Sequence, residues 1–290
     1  MTSKQPAGPV VVAVDGSPDG TRALQYGVEE AHRHGTGLRI VHVQPQTLVM
    51  SPMLPLVPGD SLHDIAAHIL KQAEQQARDF GWTGPDLDPV LANGGRYLEL
   101  VEHARDATCL VVGRRSSTVR HLLTGSTSSA LAGEAPVPVI CVPETWNPDS
   151  GMGGRVVVGV ERPEHLHPLL AVAFEEARCR LGRVHLLHAW RPRLQYDAVI
   201  GDRVLKQDWV HQTQELLTGL VHDDQPGSDV EWTVEARYTD PAHALHEAGE
   251  TSDLLVLGRH GYDSGIHREL GSTVRALLRT STCPVLVVPM

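Results

Sequence analysis

"VVVAVDGSPDGTRALQYGVEEAHRHG", residues 10–35, reads as one strand feeding one helix. Val10–Val14 is an apolar run that fits a strand buried on both faces. Ser17 then stands as N-cap and Pro18 as first helical residue. Beyond them Ala23, Gly27 and Ala31, with Leu24 and Val28, make one apolar helical face. The same unit opens again at Val156 as "VVVGVERPEHL".

The two copies keep matching in order. "YGVEEAHRHG" at Tyr26 answers "VAFEEARCRLG" at Val172, and "IVHVQP" at Ile40 answers "LLHAWRP" at Leu186. "CLVVGRRSS" at Cys109 answers "LLVLGRHGY" at Leu254, and "PVPVICVP" at Pro136 answers "TCPVLVVP" at Thr282. The offset is about 145 residues throughout, one ordinary domain length. The chain is therefore a tandem duplication. The seam is "ETWNPDSGMGG", Glu144 to Gly154, of linker composition. Domains are expected at 1–146 and 155–290, with 147–154 between them.

Inside the first copy, strands near Leu38–Val43, Asp88–Leu91, Cys109–Val112 and Val139–Val142 follow the first. Helices alternate with them: Leu62, Ile65, Ala66, Ile69, Leu70, Ala73 and Ala77 trace a 3.6-residue period, and further helices are expected near Tyr97–Arg105 and from Ser126. The second copy repeats this, with strands near Val156, Val184, Val230, Leu254 and Val285. Such βα alternation predicts an α/β fold: two tandem sandwich domains, each a five-stranded parallel sheet flanked by helices with right-handed crossovers. The last strands, Val139–Val142 and Val285–Val288, are expected at sheet edges. An exposed apolar edge is a liability, which suggests intramolecular pairing of the two domains, antiparallel, with a further homodimer as an extension.

Composition agrees with such a sheet. Of 290 residues 41% are hydrophobic but only 4% aromatic, so the core must be aliphatic. The formal net charge of −10 repels phosphate backbones and argues against a nucleic-acid partner. Cys109, Cys141, Cys179 and Cys283 form no CxxC pair, and three lie in or beside strand-like runs, where Cys acts as a small hydrophobe. That pattern, with no signal peptide and no membrane-length apolar stretch, suggests a reduced, cytoplasmic protein without a membrane partner. Seventeen histidines do not by themselves make a metal site. His165 and His167 are two apart and would need further ligands.

Chemistry concentrates in "LGRHGYDSGIHRELGST", residues 257–273. Glycines after a strand let the backbone approach a ligand, and a helix opening on Ser272 and Thr273 offers N–H groups, hydroxyls and a positive dipole end. This reads as a phosphate cradle. It is neither a Walker loop, since it has no lysine, nor a GxGxxG turn after the first strand. Plain alternatives stand beside it: the glycines could make only a tight turn, Asp15 could only cap a helix, His260 could face solvent, and Arg268 reads as a surface charge. His42 and His188 occupy matching strand positions and read as packed structural residues.

The spacing Gly258-x2-Gly261-x9-Gly271-Ser272 resembles the nucleotide motif of the universal stress protein family. "VAVDGS", "VHV", "LVVG", "LLVLG" and "PVLVVP" resemble that family too, over nearly the whole chain as a tandem member. The resemblance implies an α/β sandwich that binds ATP, with magnesium as a possible companion. It implies triphosphate on this loop, and adenine and ribose near the ends of the first two strands. In the second copy it points to Gly258, His260, Gly261, Gly271, Ser272 and Thr273, with Ala189 ending the second strand and Glu161 standing where the family has Asp. In the first copy it points to Asp15, Gly16, Ser17, Val43, Gly113, Arg114, Arg115, Gly125, Ser126 and Thr127. There Ser116 replaces the second glycine, and eight residues rather than nine precede Gly125. Arg114 and Arg115 offer charge-assisted compensation. No general base other than His260 is evident near the expected γ-phosphate, so hydrolysis is expected to be slow or absent. The resemblance implies a regulatory stress protein with protein partners that the residues do not name. Two alternatives remain open here: an interaction protein of this fold without nucleotide, and a nucleotidyl-transfer enzyme, although "HLHP" at His165 does not match that class's HIGH motif.

Overall fold

A computed structural model describes residues 8–44, 59–84, 86–114, 126–162, 166–191, 203–259 and 270–290. The chain divides into two compact units, Met1–Glu144 and Thr145–Met290. In the first, β1 (Val10–Ala13), α1 (Pro18–His34), β2 (Leu38–Gln44), α2 (Gly59–Asp79), β3 (Leu87–Asn93), α3 (Arg96–His103), β4 (Cys109–Gly113), α4 (Ser126–Glu134) and β5 (Val139–Val142) follow in turn. The second runs β6 (Arg155–Gly159), α5 (Leu166–Cys179), β7 (Arg183–Ala189), α6 (Arg203–Asp224), β8 (Glu231–Arg237), α7 (Pro241–Gly249), β9 (Leu254–Arg259), α8 (Ser272–Thr280) and β10 (Val285–Pro289). Within the first unit the strands lie in the order β3-β2-β1-β4-β5, and within the second β8-β7-β6-β9-β10. The neighbouring strands of each unit run parallel.

Local signals explain the elements. Ser17 caps α1, its Oγ accepting from the N–H of Gly20, and Pro18 opens the helix. Gly35, at φ 63°, ends it in the left-handed conformation that glycine adopts without strain. The face Ala23, Leu24, Gly27, Val28 and Ala31 is buried on the sheet. Each fully buried side chain such as Leu24 contributes about 1.5–3 kcal/mol. Gly27 is there for contact distance: a Cβ on it would sit 2.2 Å from Val12 Cγ2, so α1 rides directly on β1. On α2, Ala66, Leu70, Ala73 and Ala77 are buried as the period predicts, but Ile65, read with the same stripe, is 55% exposed. Pro89 lies in β3, an outer strand of its sheet, where a missing N–H is tolerated.

The core is aliphatic, with Val10, Ile40, Leu110, Val157, Leu186 and Leu255 fully buried. Cys109, Cys141, Cys179 and Cys283 are all free. Burial pushes the Cys141 thiol up to about 12, against the nearby positive charge of Arg114, so it behaves as a hydrophobe. No helix among the described residues is long and apolar enough to cross a membrane.

Candidate functional site

The strand order reverses beside the first strand of each unit. From β1 the chain steps to β2 and β3 on one side, then crosses back to β4 and β5 on the other. Ligands of open α/β sheets bind at the carboxyl ends of the strands at such a reversal. In the first unit a cleft opens there, of about 850 Å³ with the open solvent at its mouth included. Val41 and Val43 of β2, Leu100 of α3 and Leu131 of α4 line its apolar side. Asp15, Ser17 and Gly20 lie at the start of α1, and Thr127 and Ser128 at the start of α4. Two helix N-termini therefore meet one cleft, and both dipoles favour an anion.

The turn before α1 is tightly specified. Asp15 Oδ1 accepts the Ser17 N–H at 3.0 Å and the Ser17 hydroxyl at 2.5 Å. Ser17 Oγ in turn accepts the N–H of Gly20 at 3.2 Å. Gly16 sits at φ 75°, a conformation an L side chain rarely adopts. The Asp15 carboxylate is thus engaged by its own turn while it borders the cleft. Gly113 forms the floor, and a Cβ there would lie 2.4 Å from the main-chain oxygen of Asp19. Only glycine lets β4 end against the first turn of α1. Ser128 Oγ donates to the Gly113 carbonyl at 3.2 Å, tying α4 to the same floor. Asp19, also at the rim, pairs with Arg22 at 2.8 Å.

Of the first-copy residues singled out in the sequence, the structure brings Asp15, Ser17, Val43, Gly113 and Thr127 to the cleft. Ser126 is the first residue of α4. Gly16 shapes the turn from behind, its α-carbon side facing Ile69 of α2. Arg114 follows β4 and donates its main-chain N–H to Val142 at 2.8 Å. Arg115, Ser116 and Gly125 lie outside the described residues. Sequence reasoning missed Arg96, the first residue of α3, which lines the cleft as an exposed cation. Its side chain makes no hydrogen bond or ion pair among the described residues. The Gly94-Gly95 pair before it is the local sign of a loop at a strand end.

In the second copy Glu161 is exposed just past β6, and Ala189 is the last residue of β7. Gly258 does not end its strand, as the sequence suggested: β9 runs one residue further, with Gly258 beside Val288 and Arg259 beside Pro289. The parallel pairing with β10 carries it on, and Arg259 is 94% buried by its surroundings, at 6% exposure. Gly271 is the N-cap residue of α8 at φ −56° and ψ 155°, with no side-chain cap. The N-cap glycine therefore brings no side chain of its own to compete with an anion for the first-turn N–H groups at Ser272 and Thr273. His260, Gly261 and Arg268 lie outside the described residues, as does His165. His167 Nδ1 meets the carboxylate of Asp224, joining α5 to α6.

A model of the universal stress protein family matches residues 7–143 and again 152–289. The universal stress protein Rv1996 of Mycobacterium tuberculosis is 28% identical over 310 aligned residues, covering 99% of this chain and 96% of its own. Rv2005c of the same organism, also a universal stress protein, is 29% identical with 96% of each chain covered. The crystal structure of a universal stress protein from Archaeoglobus fulgidus superposes with a TM-score of 0.71 over 98% of this chain and 99% of its own, at 18% identity. At that identity the likeness speaks for the fold alone.

Proposed function

The chain belongs to the universal stress protein family, whose model matches both of its halves, and from that premise we propose that it binds ATP in the first unit's cleft. Binding would act by shifting conformation or partner choice, as far as the nucleotide favours one state over another. The carrying observation is the convergence of two helix N-termini, Thr127, Ser128 and the side-chain-free floor at Gly113 on one cleft at the strand-order reversal. The apolar side at Val41, Val43 and Leu131 suits a purine face, and the helix starts suit phosphates. Magnesium would arrive on the triphosphate, since it keeps mostly water and phosphate oxygens around it. The described cleft residues supply donors and a carboxylate rather than an activated nucleophile, which supports binding over turnover. The protein is proposed to act in the cytoplasm.

A second reading is favoured by one specific observation. Asp15 Oδ1 is already satisfied by Ser17, so the turn holds its shape without any ligand, as an interaction protein of this fold requires. Mass spectrometry of freshly purified protein, denatured to release its contents, separates the two, alongside calorimetric titration with ATP. Released ATP, ADP or AMP, or a saturable heat of ATP binding, supports the first reading. A chain that releases no nucleotide and gives no heat belongs to the second.

A further inference from the structure

In both units the first strand leaves the second at the same register. The β1–β2 pairing ends at Ala13 beside Val41, and the β6–β7 pairing at Gly159 beside Leu187. One more main-chain bond follows in each: Val14 N–H to Val41 O at 3.0 Å, and Val160 N–H to Leu187 O at 3.1 Å. Meanwhile β2 stays paired with β3 out to Gln44, and β7 with β8 out to Ala189. The first strand therefore peels away while its neighbour continues, and that divergence opens the crevice. It also strands a carbonyl, because the next ladder donor to Val14 O and to Val160 O is no longer a main-chain N–H.

A side chain fills that place twice. His42 Nδ1 lies 2.8 Å from Val14 O, and His188 Nδ1 lies 2.8 Å from Val160 O. A carbonyl only accepts, so each Nδ1 must carry the proton. Val41 and Val43 border the cleft, so alternation along β2 turns His42 to the opposite face. His42 is not among the residues that line the cleft. The imidazole's effect is on the main chain immediately before Asp15 in one unit and Glu161 in the other.

We infer that His42 and His188 are positioning residues: each imidazole replaces the missing ladder donor, ends the first strand at a fixed residue and sets the peptide that launches the cleft turn. In the first unit that peptide precedes Asp15, Gly16 at φ 75° and the Ser17 cap. The repetition is the strongest support. The residue after the held carbonyl differs between the copies, Asp15 against Glu161, and so does the sequence that follows, yet the imidazole, the atom and the distance are the same. The effect on ligand affinity rests on the nucleotide reading above; the effect on the turn does not.

The test uses the full chain with ¹⁵N-labelled histidine and amides. The wild type should show protonated, pyrrole-like Nδ1 signals from both histidines, one lost in His42→Asn and another in His188→Asn. His42→Leu should speed amide exchange at Ser17 at least about tenfold, a local opening. His42→Asn, whose Nδ2–H hangs from the same γ-carbon, should restore most of the protection. ATP affinity should follow the same order, Leu well below Asn and Asn near the wild type, with His188→Leu leaving first-unit exchange unchanged. The inference is overturned by an Nε2–H tautomer at both histidines, or by Ser17 exchange that is the same in His42→Leu as in the wild type. If His42→Leu does not fold, the wild-type tautomers and the Asn variants still decide. A wild type that takes up no ATP ends the nucleotide reading, while the exchange data judge the latch.

Discussion

Replacing Gly113 by Ala, and separately Gly258 by Ala, puts one methyl at the same place in the two repeats. The correspondence follows from pairing: Val10 sits beside Cys109 and Val156 beside Leu254, and each glycine lies four residues on. Their surroundings differ. At Gly113 the new Cβ would lie 2.4 Å from Asp19 O and 2.7 Å from its carbonyl carbon, both main chain. Relief to an ordinary contact needs a shift of about 1 Å between β4 and α1, and overpacking of this kind costs about 1–3 kcal/mol. At Gly258 the nearest atom is Met290 Sδ at 3.3 Å, then Met290 Cγ at 3.4 Å and Leu169 Cδ1 at 3.5 Å. A thioether gives way easily, so the cost there is well below that at Gly113. For a unit of this size the first substitution should lower its melting temperature by roughly 2–10 °C and the second by a degree or two. Differential scanning calorimetry of the full chain reads both. The displaced start of α1 also carries Asp15 and Ser17, so Gly113→Ala should weaken ATP binding at least about tenfold, near 1.4 kcal/mol. Equal melting losses in the two variants, or native ATP affinity in Gly113→Ala, would show that the floor contact is not what shapes the cleft.

Leu181 holds φ 51° and is 96% exposed, with the same closing hydrogen bonds that Gly35 makes after α1. Leu181→Gly relieves about 1–2 kcal/mol of left-handed strain against about 0.5–1 kcal/mol of added chain entropy, so the second unit should melt higher; a lower melting temperature refutes the strain argument. Arg96→Ala should lower affinity for ATP more than for adenosine, because a cation at the rim acts on phosphate charge, and equal losses for the two would rule that role out. A Cβ added at Gly271 meets nothing within 4 Å among the described residues, so in Gly271→Val thermal melts should change little while any nucleotide held at the second unit is lost; an early melt with native binding refutes a cradle there. His185 is held below its ordinary 6.5 by burial first, then by Arg155, against the pull of Glu235. Glu235 is held below its ordinary 4.5, chiefly by its hydrogen bond from Arg237. Both bind fewer protons folded than unfolded, so their stability is complete above those ordinary values and fades as pH falls, through His185 first and Glu235 below. Urea midpoints at pH 7.5, 5.5 and 4 should fall in that order, and His185→Gln should flatten the first step; an unchanged first step removes His185 as its cause.

Which parts of this were open to a reader of residues follows from the range of the physics involved. Strand runs such as Leu254–Leu257, the Ser17-Pro18 start and the Gly35 stop are local, and each announces itself within a few positions. The duplication is global but written in plain order. Gly27 looked like one more member of a helical stripe, because its 2.2 Å margin to Val12 exists only once helix and strand are packed. Ile65 shared the period of α2 yet faces water, since a stripe is wider than the surface it covers. Arg96 reaches the cleft from far along the chain, and no spacing rule connects it to Asp15. The histidine of "VHV" gave a strand and a burial preference. Its use as a main-chain donor depends on where the neighbouring strand departs, which no pattern in the letters marks. The Asp15 carboxylate was legible as either cap or ligand contact, and its engagement by Ser17 supplies the first role while leaving it at the cleft edge.

The placement of β1 between β2 and β4 has a consequence for how the protein is made. Val10 must pair with both Leu38 and Cys109, and the second partner lies about a hundred residues downstream. On a ribosome the opening strand therefore waits, exposed on one side, until β4 has left the exit tunnel, on the order of ten seconds at ordinary elongation rates. Closing so long a loop before its contacts form is slow in itself. The cleft, built from the ends of β1 and β4, cannot exist before that moment. The second repeat begins at Arg155, after β5 has ended at Val142. The first unit can thus finish its own sheet while the second is still being synthesised, and two sets of strands in the same order are kept from exchanging partners by the sequence in which they appear.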